Sequence, residues 1–302
     1  MIYSVCVIHF GDPDPTHACL AAVDQLHCRP HERCLVWNGP GAPSADFLRE
    51  HPGWMVLAPP ENLGYGAGAN LGIAQLARTA TVEAVLLLNN DAVLEADSLS
   101  WLIAALEHDP DIALVGPRIL ELGTGRIWHD GGAVESSTGR ARSLRYGEAD
   151  EAVAATQPVE VEFVCGCAPL IRVAAFRAVA GFDERYFLYG EDLDLSARLR
   201  VRGWKVMHES RARAWHHGSA SVEAQGRPFS LYYRLRARML FLREHGSRLP
   251  LGRCLQLRVR VGVWWRAARY SLQGRGNEAR ALRGALVDAR RERWGRSSRF
   301  DP

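Results

Sequence analysis

Apolar residues occur along the first part of the chain as short continuous runs separated by stretches of mixed polarity. Continuous apolar runs predict strands covered on both faces, and the stretches between them predict crossover helices. The predicted strands are Tyr3–Phe10, Arg33–Trp37, Trp54–Ala58, Ala84–Leu88 and Ile112–Val115. The predicted helices are Thr16–His27, Pro43–His51, Ala69–Thr79 and Asp97–His108. This alternation predicts an α/β fold with a mixed, mainly parallel sheet flanked by helices.

The pattern changes after residue 120. Residues 123–157 are rich in Gly, Ser, Arg and Glu and predict a hairpin or loop excursion. A strand at Val159–Cys165 and helices at Val173–Val179 and Asp192–Arg202 restore the earlier pattern, and Phe229–Arg293 reads as helical and Arg-rich. We therefore predict a main domain over 1–226, with halves of about 1–120 and 121–226, and a helical extension over 227–302.

Charge and cysteine content sharpen this division. The net charge is +3, but residues 227–302 hold 19 basic and 5 acidic residues, whereas the remainder holds 18 and 29. Seven cysteines show no repeating spacing, which is typical of small buried residues in a reducing cytoplasm. The first residues lack the basic region of a signal peptide, and no window reaches the roughly 18 uncharged apolar residues of a spanning helix. We expect a cytoplasmic location.

Two acidic motifs are candidates for chemistry. Asn89-Asn90-Asp91 follows a predicted buried strand, at the edge where open α/β sheets bind ligands. A carboxylate there can hold a divalent cation, although such a turn also caps backbone groups. Glu191, Asp192 and Asp194 stand at a helix start. Capping and the helix dipole explain one acid at that position but not three.

Two further motifs carry histidine and glycine. His216 and His217 are adjacent and cannot share one face, so one is a candidate metal ligand, and a surface pair is the alternative. The glycine-rich segment 61–70 leads into a predicted helix, where backbone N–H groups can approach a phosphate. The segment partly matches the dinucleotide-binding fingerprint, but we reject that interpretation. The fingerprint should follow the first strand, whereas this segment follows the third, and the acid expected at the end of the next strand is absent.

The order and spacing of these motifs, from Ser4 to about Leu242, resemble the family 2 glycosyltransferases, which have a Rossmann-like GT-A fold. The bacterial rhamnosyltransferase-like branch is the most similar. The family has Asn-x-Gly-aromatic-Gly-x-Gly-x-Asn, an Asp-x-Asp-like motif, Gly-Phe-Asp-Glu, Tyr-Gly-Glu-Asp-x-Asp and a motif containing His. Here these are Asn62–Asn70, Asn89–Asp91, Gly181–Glu184, Tyr189–Asp194 and Trp215–His217.

The resemblance implies roles for individual residues. Asp192 is expected to be the catalytic base, and Glu191 is expected to orient the acceptor. Asp91 and His216 are expected to bind a divalent metal, Mg²⁺ or Mn²⁺, that bridges the donor diphosphate. The nucleotide-sugar cleft, in the first half of the domain, is expected to be lined by Trp37, Asn38, Asn62, Gly64, Asn70, Asn89 and Asn90.

Three departures from the family pattern matter. Trp37 stands where the family usually has an Asp that contacts the base, so we expect the indole to stack on the base. Asn89 replaces the first acid of the metal motif, which weakens or alters metal coordination. Arg236-Ala237 stands where an Arg-Asn pair is common.

The function implied is inverting transfer of L-rhamnose from dTDP-rhamnose to a hydroxyl of a bacterial surface glycan. The alternatives are a UDP-sugar donor, galactose or N-acetylglucosamine, and an inactive nucleotide-sugar-binding protein. The acceptor is expected to be a glycan, free or lipid-linked. The basic extension predicts peripheral binding to the anionic inner face of the membrane, through Leu255, Val259, Val263, Trp264, Trp265 and Leu272. Few interleaved aromatics and no recognisable module argue against nucleic acid.

Overall fold

The structure is a computed structural model that describes residues 1–78, 81–150, 157–217, 225–249 and 252–300, without the side chain of Arg253. Thr79, residues 151–156 of the predicted excursion and residues 250–251 of the predicted extension lie outside the described residues, as do 218–224 and 301–302. The strands in the described residues are β1 Tyr3–His9, β2 Arg33–Trp37, β3 Met55–Leu57, β4 Ala84–Asn89, β5 Ala92–Leu94, β6 Ile112–Glu121, β7 Ile127–His129, β8 Gly132–Glu135, β9 Arg140–Ser143, β10 Val159–Glu160, β11 Leu170–Arg172 and β12 Lys205–His216.

Helices flank these strands, and most lie where the sequence pattern predicts them. They are α1 Pro13–Asp24, α2 Ala45–Glu50, α3 Tyr65–Leu76, α4 Ser98–His108, α5 Val173–Ala178, α6 Glu191–Val201, α7 Arg227–His245, α8 Gly252–Leu272 and α9 Gly276–Arg290. A single 3-10 turn, Gly246–Arg248, follows α7.

One large sheet forms the centre of the molecule, in the order β10-β12-β6-β11-β4-β1-β2-β3, with β5 beside β12 and β7 beside β6. The pairs β1–β2, β1–β4, β2–β3 and β6–β12 are parallel, and β11 is antiparallel to both its neighbours. The predicted mixed, mainly parallel sheet is confirmed. β8 and β9 form a separate antiparallel hairpin inside the predicted excursion.

Two apolar layers cover this sheet, and alternate residues of each central strand point into one or the other. Val5 and Val7 of β1 join one buried cluster, whereas Cys6 and Ile8 join the other. Ala84, Leu86 and Leu88 of β4 alternate with Val85 and Leu87 in the same way. Burial on both faces explains why these strands read as continuous apolar runs.

The strand β12 was not predicted from the sequence. It is twelve residues long, but buried positions alternate with charged, partly exposed ones such as Arg211 and Arg213, so it contains no apolar run. The predicted strand at Val159–Cys165 is correct only for Val159–Glu160. The short strands β5 and β11 were also missed, because three residues carry too little periodicity to detect.

Pairing of β5 with β12 fixes the edge of the sheet that carries polar residues. In register, Ala92 lies opposite His216 and Leu94 opposite Ala214. β4 and β12 both end at this edge, so the turn between β4 and β5 is held against the end of β12. The backbone N–H of His217 donates to the carbonyl of Asp91 at 3.2 Å.

The helices α7, α8 and α9 share a further apolar cluster, which also includes Phe187 from the loop before α6. Leu255, Val259 and Val263 are buried within it, so the prediction that they form a membrane-facing surface is wrong. The exposed apolar side chains of α8 are Leu257, Val261, Trp264, Trp265 and Leu272. Among the described helices, none is long and apolar enough to cross a membrane.

Candidate active site

A cavity of about 290 Å³ opens at the carboxyl edge of the sheet. It collects residues from β4, β12, the start of α6 and the glycine-rich segment before α3. Nine of the residues predicted for the site line it: Asn38, Asn62, Gly64, Asn89, Asn90, Asp91, Glu191, Asp192 and His216. The remaining two, Trp37 and Asn70, do not.

Asp91 and His216 form a candidate metal-ligand pair on one wall of the cavity. Oδ1 of Asp91 lies 3.1 Å from Nε2 of His216, and the side-chain amide of Asn89 lies 3.5 Å from the same nitrogen. Within the described part of the chain, the buried Oδ1 of Asn89 has no hydrogen-bond partner. Rotation of the Asn89 amide by half a turn exchanges its two ends and brings Oδ1 to this nitrogen. Carboxylate, imidazole and amide oxygen together suit Mg²⁺ or Mn²⁺.

The carboxylate of Asp192 lies at the first turn of α6 and accepts two backbone hydrogen bonds. Oδ1 accepts from the N–H of Leu193 at 2.7 Å, and Oδ2 accepts from the N–H of Gly166 at 3.1 Å. Burial raises the pKa of Asp192, while these N–H groups act to lower it. The helix N-terminus also favours an anion at this position. Asp192 is therefore suited to remain ionised while partly buried.

Glu191 precedes Asp192 and has a different environment. Its side chain is buried, and its Oε2 has no hydrogen-bond partner among the described residues. Burial, reinforced by the neighbouring Asp192, raises the pKa of Glu191 to about 8. The two acids thus divide their roles, since Glu191 holds a proton at neutral pH and Asp192 takes the negative charge.

The glycine-rich segment forms the opposite wall of the cavity. Asn38 holds it from the end of β2, because its amide accepts from the N–H of Leu63 and donates to the carbonyl of Gly64. Asn62 accepts from the N–H of Gly64. Gly64 has a φ of +84°, and a Cβ there would lie 2.4 Å from the carbonyl oxygen of Phe187. Only glycine fits this position, at the N-terminus of α3.

Trp37 and Asn70 have structural roles, which corrects the prediction for both. Trp37 is buried and stacks on His9, with ring centroids 3.7 Å apart, so the base-stacking interpretation does not fit its position. Asn70 bonds in both directions with the backbone of Phe182, at 2.8 and 3.0 Å. It ties α3 to the loop before α6 and does not line the cavity.

Two residues that the sequence did not single out hold the Asp192 carboxylate in place. The hydroxyl of Tyr65 donates to the carbonyl of Gly166, and the N–H of Gly166 donates to Asp192. A Cβ on Gly166 would lie 3.0 Å from the Tyr65 ring. The aromatic position of the glycine motif was a signal for Tyr65. Gly166 had no such signal, because its role depends on contacts distant in sequence.

A second group of possible metal ligands lies outside the cavity. Among the described residues, His17, Glu50 and His51 bring three ligand atoms within 4.8 Å of one another. Nδ1 of His17 is 2.8 Å from Nε2 of His51, which already satisfies both rings with a hydrogen bond. Neither Asp91 nor His216 belongs to this group.

Known proteins resemble this chain over most of its length. The family model described as "Glycosyltransferase like family 2" matches residues 40–241. The N-acetylglucosaminyl-diphospho-decaprenol L-rhamnosyltransferase of Mycobacterium tuberculosis is 30% identical over 229 residues, covering 67% of this chain and 72% of that protein.

Solved structures extend the comparison to the fold. S. aureus TarS superposes with a TM-score of 0.59 at 13% identity, covering 99% of this chain and 50% of that chain. A crystal structure of GalNAc-T7 with UDP, GalNAc and Mn2+ gives a TM-score of 0.57 at 14% identity, covering 71% of this chain and 43% of that chain. At these identities the comparison establishes a shared fold, and the predicted GT-A fold is confirmed.

The shifted pKa of Glu191 makes stability depend on pH. Its ordinary pKa is 4.5 and its pKa in the folded protein is about 8. The stability that its protonated form contributes is complete below pH 4.5 and is lost as the pH rises towards 8, because only the unfolded chain ionises freely. The Glu191→Gln variant should therefore have a higher melting temperature than the parent protein, and the difference between the two should grow from pH 5 to pH 8.

The matched control is Glu148→Gln, because the Glu148 side chain is 58% exposed. Its effect should stay small across the same range. A Glu191→Gln effect that does not change with pH would show that this carboxyl group is ionised in the folded protein.

Proposed function

The chain belongs to glycosyltransferase family 2 and is a glycosyltransferase, and we propose that it transfers L-rhamnose from dTDP-rhamnose, with inversion, to a hydroxyl of a bacterial surface glycan. The donor sugar is proposed from the 30% identity to the mycobacterial rhamnosyltransferase. The observation that carries the mechanism is the shared cavity. Asp192 and Glu191 line the same space as Asn89, Asp91 and His216, which provides for both the attacking and the leaving group.

Asp192 is the proposed base. The acceptor hydroxyl gives its proton to a carboxylate oxygen of Asp192 while its oxygen bonds to the anomeric carbon. The bond from that carbon to the diphosphate oxygen breaks, and the nucleoside diphosphate leaves with the electron pair. Because a single displacement occurs with no covalent enzyme intermediate, the configuration inverts. In this proposal, the protonated Glu191 donates a hydrogen bond that orients the acceptor.

The diphosphate leaves as an anion, and its negative charge must be stabilised by a cation or by hydrogen-bond donors. Asp91, His216 and Asn89 are the residues that would hold a divalent metal here, on the ligand distances given above. Such a metal supplies Lewis-acid stabilisation of the leaving diphosphate. The glycine-rich segment adds the backbone N–H groups at the N-terminus of α3, which favour a phosphate.

The extension is proposed to keep the enzyme at the cytoplasmic face of the membrane. Trp264, Trp265 and Leu272 are 53%, 75% and 90% exposed on α8. Exposed tryptophans beside arginines are typical of a helix that lies in the membrane interface. This placement suits a glycan acceptor carried on a lipid.

The donor is tested by thermal shift with Mn²⁺, because a ligand that binds the native state raises its melting temperature. We expect dTDP-rhamnose to give a larger rise than UDP-galactose or UDP-N-acetylglucosamine. A larger rise with either UDP-sugar would replace the proposed donor. Binding without consumption of any donor would instead favour the inactive binding protein.

Replacement of the base should leave the fold and donor binding intact. Asp192→Asn should lower turnover by about 10²- to 10⁴-fold, the usual contribution of general base catalysis, with an unchanged donor-induced thermal shift. The control is Asp97→Asn, whose side chain is 76% exposed at the start of α4. Turnover of Asp192→Asn within about threefold of the parent would rule out this base.

Metal binding is tested at the ligand pair. Asp91→Ala and His216→Ala should each weaken donor binding in the presence of Mn²⁺, because each removes a ligand, and should reduce the loss caused by a chelator. His217→Ala is the control, since it keeps the backbone N–H of His217 that donates to the carbonyl of Asp91. Full activity of the parent protein after exhaustive chelation would show that the reaction does not require a divalent metal.

A further inference from the structure

A second and larger cavity adjoins the first. It measures about 820 Å³ and lies between the hairpin β8–β9 and the helices α7 and α8. The two cavities share Asp192, Trp128 and Arg234 as lining residues. A molecule in the second cavity therefore has access to the proposed base.

Arginine dominates the polar lining of this second cavity. Five arginines contribute: Arg140, Arg234, Arg238, Arg258 and Arg266. Three of them contact neutral groups. Arg238 donates to the carbonyl of Thr138, Arg266 donates to the hydroxyl of Tyr270 at 3.3 Å, and Arg234 lies over the ring of Tyr189 at 4.6 Å. Among the residues that the structure describes, none of the five forms an ion pair with a carboxylate.

Asp192 lines this cavity and Glu135 lies close to it, but neither forms an ion pair with the five arginines among the described residues. Glu135 lies opposite Arg140 in the hairpin, but its carboxylate accepts from the hydroxyls of Ser137 and Thr138 at 2.9 and 2.7 Å. Burial and, to a smaller extent, repulsion from Arg140 lower the pKa of Arg238 to about 10, even though Glu135 acts to raise it. A concave site with unneutralised positive charge attracts anions, and guanidinium groups match phosphate oxygens in pairs.

The other walls of the cavity are apolar. Leu231 and Leu235 come from α7, and Val259 and Val263 come from α8, with Phe241, Leu255 and Leu282 completing the surface. A simple inorganic anion would not use these walls. The combination fits a ligand that joins phosphate groups to an aliphatic chain.

We propose that this cavity binds the phosphate groups and adjoining hydrocarbon of a prenyl-type carrier to which the acceptor glycan is attached. The proposal rests on the transferase function above and assigns the phosphate to Arg140, Arg238 and Arg266. Because Asp192 lines both cavities, the carrier binds in the second cavity while the acceptor hydroxyl reaches the base in the first. These arginines are binding residues and take no part in bond breaking.

Farnesyl diphosphate is the probe, with inorganic pyrophosphate and farnesol as its two halves. Binding is measured by calorimetry with chelator present, so that no metal at Asp91 and His216 recruits the diphosphate. We expect farnesyl diphosphate to bind more tightly than either half. The double variant Arg238→Gln/Arg266→Gln should weaken it by about tenfold or more, as expected for lost charge-assisted hydrogen bonds.

Arg260→Gln/Arg269→Gln is the matched control, since it also removes two positive charges, from exposed positions of α8 that do not line the cavity. The variant Arg238→Gln/Arg266→Gln should keep or raise the melting temperature, because it removes arginines that repel one another in the parent protein. Three outcomes would overturn the proposal. Pyrophosphate or farnesol could bind as tightly as farnesyl diphosphate, the cavity variant and the control variant could lose equal affinity, or farnesyl diphosphate could fail to bind.

Donor binding and consumption are measured in the same variants. Intact donor turnover with failed carrier binding rejects this inference alone, whereas absent donor turnover rejects the proposed function.

Discussion

Two carboxyl groups side by side at the buried start of α6 impose the constraint on which the active site depends. Both cannot be ionised in a site that water screens poorly. The fold resolves the conflict with backbone hydrogen bonds, since Asp192 accepts from two N–H groups whereas Oε2 of Glu191 receives none among the described residues. An anionic Asp192 and a protonated Glu191 result, although the two side chains have similar chemistry.

The environment of Asp192 depends on contacts far away in sequence. The peptide of Gly166 is held on one side by the Tyr65 hydroxyl from α3. The preceding N–H, of Cys165, donates to Nε2 of His129 at 3.2 Å. Burial lowers the pKa of His129 to about 3, so its ring stays neutral and can accept this bond. Three separate segments therefore determine where the N–H donor to Asp192 lies.

The sequence was sufficient for the parts of the fold and site that local patterns encode. The strands β1, β2 and β4 are apolar on both faces and were recognisable as runs, and the ordered motifs identified nine residues of the cavity. The proximity of Asp91 and His216 was accessible only through the resemblance, because it depends on pairing between β5 and the unrecognised strand β12. Trp37 was misassigned because a tryptophan at a strand end can face either side, and here it faces His9. The protonation of Glu191 depends on burial, which no local pattern reports.

The positive charge of the chain is concentrated in its helical extension, and part of it lies in a cavity that the extension shares with the hairpin β8–β9. Residues 227–302 carry an excess of positive charge, which the sequence pattern assigned to a membrane surface. In the structure, Arg234, Arg238, Arg258 and Arg266 of this segment line a cavity together with Arg140 from the hairpin. Asp192, at the start of α6, lines the same cavity. In our proposal, the excess positive charge of this segment binds an anionic carrier beside the proposed base, whose own ionised form is stabilised by the backbone N–H groups of Leu193 and Gly166.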